Sequence, residues 1–144
     1  MSLEQFVDRR VFVDTSAFFA AANRRDADHL TTAAILQQLI HQRVGLVSTN
    51  FILAELHALL LTRINRDVAF RTLQEIDRSE AIAIIRVTAA DEIEARAILE
   101  RYDDKDFSLT DATCFSVMER FGIGRAFTLD RNFVQYGVEI IPLN

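Results

Sequence analysis

A chain of 144 residues with half its composition apolar is long enough to bury one substantial core and too short for two. Sixteen Lys and Arg against 21 Asp and Glu leave a net charge of −5, which excludes a grip on nucleic acid by bulk charge alone but not one through bound cations and a local basic patch. A single cysteine, Cys114, excludes an internal disulfide and a thiolate zinc site. No apolar run reaches the roughly 18 residues of a membrane span and no charged, then apolar leader opens the chain, so a cytoplasmic protein with no membrane partner is expected.

Four Gly and one Pro over the whole length leave no linker to draw, so residues 1 to 144 are expected to form a single domain. In chain order, Val11-Phe12-Val13 marks a strand over 10 to 14, followed by helical patterns at 15 to 22 and 28 to 43. A second strand is predicted at 44 to 48. Helices at 50 to 63 and 66 to 78 follow, with Asn50 in place to cap the first of them. A strand over 82 to 87 leads to a helix at 89 to 101, opened by Thr88 with Asp91 three residues on. Ser108 and Asp111 open the helix at 109 to 121 in the same capping-box pattern. Strands at 125 to 129 and 138 to 141 close the chain, with Asp130 opening a turn through Arg131 and Asn132. Short β-branched runs alternating with longer amphipathic ones predict an α/β domain with a mostly parallel five-stranded sheet.

Four carboxylates stand out against this frame. Asp14 and Asp130 follow predicted strands, while Glu55 and Asp111 fall inside apolar helical patterns. Each has an ordinary alternative: Asp14 and Asp111 as helix caps, Asp130 as a turn former, and Glu55 as a boundary residue whose stem packs while its head reaches water. In projection, however, Glu55 lies beside the arc of Ile52, Leu56 and Leu60, which predicts it at the margin of a buried face rather than on open surface. Carboxylates near a core are costly unless cations compensate them, and one shared cation site accounts for all four. Four negative charges are neutralised by two divalent ions, which makes such a pocket receptive to a phosphodiester.

Oxygen donors suit Mg²⁺ or Mn²⁺, and none of His29, His41 and His57 has a partner at zinc-ligand spacing; His29 and His41 are expected on solvent faces. No Gly-rich phosphate loop or Gly-x-Ser-x-Gly elbow occurs, and Cys114 has no basic neighbour in sequence. In an open parallel sheet, ligands collect where strand order reverses, and an order such as 3-2-1-4-5 brings Asp14 and Asp130 together there.

The segments Val-Asp-Thr-Ser-Ala-Phe at 13 to 18, Ala-Glu-Leu at 54 to 56, Phe-Ser-Leu-Thr-Asp-Ala-Thr at 107 to 113 and Thr-Leu-Asp-Arg-Asn-Phe at 128 to 133 resemble, in order and at the expected intervals, the motifs of PIN-domain ribonucleases. Within that family the chain most resembles the VapC-type toxins of prokaryotic toxin–antitoxin pairs. The resemblance implies a three-layer α/β/α fold of order 3-2-1-4-5, a Mg²⁺- or Mn²⁺-dependent endoribonuclease, a cognate antitoxin and a homodimer. Asp14, Glu55, Asp111 and Asp130 then match the acidic quartet, catalytic and metal-binding, with Asp14 and Asp111 as principal ligands. Thr15 or Ser16 matches the hydroxyl that follows the first Asp, and Thr128 a small polar residue at the rim. Asn132 departs from the His frequent at its position in related sequences.

Candidates for RNA contact are Arg24 and Arg25, Arg63 with Arg66, and Arg131 beside Asp130, and Asp106 is a candidate outer acid. Leu53, Leu56, Leu59, Leu60 and Leu61 nearly encircle their helix, which fits either internal burial or an exposed groove for a second copy or an antitoxin helix. Two other classes stand beside the ribonuclease: another two-metal phosphoesterase, such as a structure-specific DNA nuclease, and a non-catalytic binding module of the same fold.

Overall fold

The structure, a computed structural model, describes residues 9 to 143. Five strands, β1 (Arg10–Val13), β2 (Gly45–Thr49), β3 (Ile82–Ile85), β4 (Arg125–Phe127) and β5 (Glu139–Ile140), pair in parallel in the order β3-β2-β1-β4-β5. Among the described residues seven helices connect them: α1 (Thr15–Ala22), α2 (His29–His41), α3 (Asn50–Arg63), α4 (Arg66–Arg78), α5 (Ala89–Arg101), α6 (Leu109–Phe121) and α7 (Arg131–Tyr136).

Parallel neighbours require crossovers, and crossovers are right-handed. Moving from β1 through β2 to β3 therefore places α1 to α4 on one face, and the return to β4 and β5 places α5 to α7 on the other. The outcome is the expected three-layer α/β/α arrangement, with β1 at its centre. Val11, Phe12 and Val13 are fully buried because helices cover both faces, which is why the strand is a continuous apolar run rather than an alternation.

In α3 the stripe Ile52, Leu56 and Leu60 is sealed, Leu53 and Leu59 are half-buried, and Leu61 is exposed. Most of the leucine girdle is thus internal packing. The boxes at Thr88–Asp91 and Ser108–Asp111 both form as expected.

Three local expectations need correction. Thr49, not Asn50, caps α3, its hydroxyl accepting from the Ile52 amide at 3.1 Å. Asn50 instead accepts from the Val87 amide at 2.8 Å and ties the exit of β2 to the exit of β3. Strands β3, β4 and β5 and helix α2 are shorter than predicted; β3 and β4 stop early because backbone groups past Ile85 and Phe127 turn to side-chain partners on neighbouring segments. Finally, the segment after Asp130 is helical rather than a simple turn: Asp130 caps α7 by accepting from the Asn132 amide at 2.9 Å, and Gly137 ends it in a left-handed conformation, φ 105°.

Candidate active site

The reversal of strand order lies between β1 and β4, and the Asp14 amide donates to the Phe127 carbonyl at 3.1 Å across it. Asp14 caps α1 and is only 4% exposed. Its Oδ2 accepts from Ser16 Oγ at 2.7 Å, from the Ser16 amide at 3.3 Å and from Thr128 Oγ1 at 2.9 Å. Both hydroxyls also accept from the next loop: Ser16 Oγ from the Leu129 amide and Thr128 Oγ1 from the Asp130 amide, each at 2.9 Å. One small network thus locks the exit of β1 to the exit of β4. Burial pushes the Asp14 carboxyl up to about 6, against the opposing hydrogen bonds from Ser16 and Thr128.

Asp111, 8% exposed, lies at the third position of α6, where its Oδ2 accepts from the Ser108 amide at 3.1 Å. The same oxygen accepts from Asn132 Nδ2 at 2.9 Å. Asn132, which sequence reasoning linked to the surroundings of Asp130, therefore orients Asp111. Behind the acids, the Phe133 ring lies 6.3 Å from that of Phe12 and 5.0 Å, edge-on, from that of Phe115. These rings come from β1, α6 and α7, two to four residues from Asp14, Asp111 and Asp130. The core thereby fixes the relative position of the three acid-bearing elements.

Burial raises the Cys114 thiol well above its usual range, and the charges of Asp14, Asp111 and Glu55 add to that rise. What links the acids in space is a chain of hydrogen bonds from Asp14 through Thr128, Asp130 and Asn132 to Asp111. Cys114 itself is fully buried. Glu55 is exposed on α3, contrary to its expected place at the buried margin, because the face of α3 sealed in the core is the narrow stripe of Ile52, Leu56 and Leu60. Asp130 is half-buried and engaged as a cap. Among the described residues no three His, Cys, Asp or Glu side chains stand close enough to share one ion as placed.

The donor chemistry nonetheless fits a hard cation. The groups are oxygens, every described hydrogen bond to the Asp14 and Asp111 carboxylates ends on Oδ2, and no described ion pair includes a member of the quartet.

Ser16, rather than Thr15, supplies the hydroxyl; Thr15 Oγ1 is buried without a hydrogen-bond partner. Asp106 is exposed in the loop before α6. His41 is exposed as expected, while His29 is half-buried and its Nδ1 donates to the Ala20 carbonyl at 2.9 Å. Arg24, Arg25 and Arg63 meet at one cleft together with Arg71, which sequence reasoning missed; Arg66 and Arg131 are not among its lining.

Comparison with known proteins agrees with this architecture. Residues 11–139 match the PIN domain family. The 23S rRNA-specific endonuclease VapC20 of Mycobacterium tuberculosis is 35% identical over 134 residues, 92% of this chain and 98% of that protein. Ribonuclease VapC26 of the same organism is 28% identical over 84% of this chain and 87% of its own length. The crystal structure of VapC20, described as a toxin cleaving the sarcin–ricin loop, superposes with a TM-score of 0.79 at 32% identity, covering 89% of this chain and 95% of that one. VapBC2 of Rickettsia felis, bound to a promoter DNA fragment, shares the fold at a TM-score of 0.67 and 15% identity, covering 92% of this chain and 97% of that chain. The chain belongs to the PIN-domain family, among its VapC-type ribonucleases.

Proposed function

We propose that this ribonuclease depends on Mg²⁺ or Mn²⁺, cuts within RNA chains, and serves as the toxin of a toxin–antitoxin pair. The observation that carries the reading is Asp14: a carboxylate buried at the strand-order reversal, with hydroxyl and amide partners but no cationic side chain, joined by hydrogen bonds through Thr128, Asp130 and Asn132 to Asp111. Asp14 and Asp111 would hold the principal ion, with Glu55 and Asp130 completing or orienting its surroundings. A divalent ion held there would supply Lewis-acid chemistry, lowering the pKa of an attacking water and offsetting charge on the phosphate and leaving oxygens. Ser16 and Thr128 hold the Asp14 carboxylate in one rotamer, Asn132 does the same for Asp111, and Glu55 is exposed on α3. Given the activity of VapC20, 23S rRNA is the first substrate to assay.

The deciding experiment is cleavage of total RNA by wild type and Asp14→Asn with Mg²⁺, Mn²⁺ or EDTA, with the cut ends mapped. Loss of cutting in EDTA and in the variant, with 5′-phosphate and 3′-hydroxyl ends, is expected; cutting that survives EDTA overturns metal dependence. A non-catalytic PIN-fold module draws on one observation, the absence among the described residues of three ligands close enough to share an ion. Failure of Mn²⁺ to bind would favour it. The antitoxin and homodimer readings are supported by exposed Leu61 and Phe70 on the α3–α4 pair, and by an apolar groove of about 320 Å³ bordered by Phe18, Leu36, Ile40, Ile76 and Ile82.

A further inference from the structure

A cleft of about 740 Å³ opens where α1 and α3 end, its walls carrying Arg24, Arg25, Arg63 and Arg71 with His29 and Asn65. Glu75 is the one carboxylate in the lining. All four arginines are exposed, and none enters an ion pair among the described residues. Four guanidinium groups around one hollow repel one another, and in a chain of net charge −5 their gathering is a local reversal of sign. Such a hollow is complementary to a polyanion. Helix α2 also opens on it, at His29, with no side-chain hydrogen bond from its cap residue Asp28, which adds the positive end of a helix to the wall.

The position of the cleft identifies the polyanion. Helix α1 leads from Asp14 to Ala22, and α3 carries Glu55 and Arg63 eight residues apart, so each helix separates acid from arginine by about 12 Å of rise. A chain whose phosphodiester lies at the acids reaches the cleft within a few nucleotides along these two helices. Guanidinium forks match phosphate oxygens in pairs. We propose that this cleft is a backbone subsite that holds the phosphates of RNA flanking the scissile bond. The proposal rests on the ribonuclease reading and adds the place where the substrate is gripped.

The test separates binding from cleavage. In EDTA, affinity for a fluorescein-labelled single-stranded RNA of mixed sequence is measured by anisotropy across a salt series, and KM and kcat are measured separately with Mg²⁺. Arg63→Gln with Arg71→Gln is expected to reduce the slope of log affinity against log salt by about 1.4, two phosphate contacts at roughly 0.7 each on single strands, and to raise KM about 10-fold with kcat unchanged. Arg96→Gln with Arg101→Gln, on α5 across the sheet, is expected to change neither. An unaltered slope and KM in the first pair, while wild type still cleaves, overturns the subsite and leaves the nuclease reading standing. Wild-type protein that neither binds nor cuts RNA overturns both. Polyglutamate binding that is lost in the first pair, with RNA affinity untouched, overturns the RNA assignment and gives the cleft to an acidic protein segment.

Discussion

Asp14 is 4% exposed, and its partners are hydroxyls, an amide and the strand exits, none of them a cation. Raising its pKa from an ordinary 3.8 to about 6 means that the folded chain binds more protons there than the unfolded chain between those pH values. The sign follows: the ionised side chain opposes folding above pH 6, by up to about 3 kcal/mol, and this opposition fades as pH falls towards 4. In EDTA at pH 7, Asp14→Asn is expected to melt above wild type, with the gap closing on acidification. Mn²⁺ should raise the Tm of wild type by mass action and leave the variant unmoved. A variant that melts at or below wild type in EDTA at neutral pH would sink the claim that this charge is uncompensated. Asn132 invites a different measurement, because it orients Asp111 rather than burying surface. Asn132→Ala should weaken Mn²⁺ binding roughly 10-fold, read by calorimetry, with little change in Tm.

At the scale of elements, α5 and α6 are clasped by one two-pronged ion pair: the Arg120 guanidinium, itself exposed, donates to both oxygens of buried Asp91, through Nε at 2.9 Å and Nη2 at 2.8 Å. Burial pushes the Asp91 carboxyl up, but Arg120 and the capping contacts of Thr88 outweigh it and hold the group below its usual range. A lowered pKa stabilises the fold above the unfolded value, and that support is lost as pH drops through the folded one. Arg120→Ala should therefore cost about 1 kcal/mol at pH 7 in denaturant titrations, and progressively less in acid. Both capping boxes that frame this pair were legible in sequence, because Thr88–Asp91 and Ser108–Asp111 satisfy helix-end amides locally. Helix α7 was not legible. Six residues show too little periodicity to register, and its stability comes from Phe133 packed between Phe12 and Phe115, a contact across more than a hundred residues of chain on one side. The role of Asn50 was hidden for the same reason, since its partner at Val87 lies on a neighbouring strand exit. Glu55 misled for the opposite one: helical projection places a residue around an axis but does not say how wide an arc the core covers.

Over the whole molecule, two consequences of handedness organise function. Right-handed crossovers in both directions from β1 leave a crevice at its exit, and that crevice gathers Asp14, Asp111 and the Asp130 loop although they lie 97 and 19 residues apart in sequence. The same crossovers put α1 and α3 on one face, so that helices starting near the acids end among arginines. The molecule thus carries acids at the crevice and arginines at the cleft, within a net charge of −5. Without divalent ions the acidic mouth opposes the arginine cleft, since a phosphate drawn towards one meets repulsion from the other. Neutralising the mouth should relieve this opposition. In EDTA and low salt, Asp14→Asn with Asp111→Asn is expected to bind single-stranded RNA roughly threefold more tightly than wild type, an advantage that shrinks as added salt screens the field. With Mg²⁺ present the order should reverse, because only wild type can then convert its carboxylates from a repulsive to an attractive surface. Equal affinities of the two proteins in EDTA would show that the mouth and the cleft do not act on the same strand.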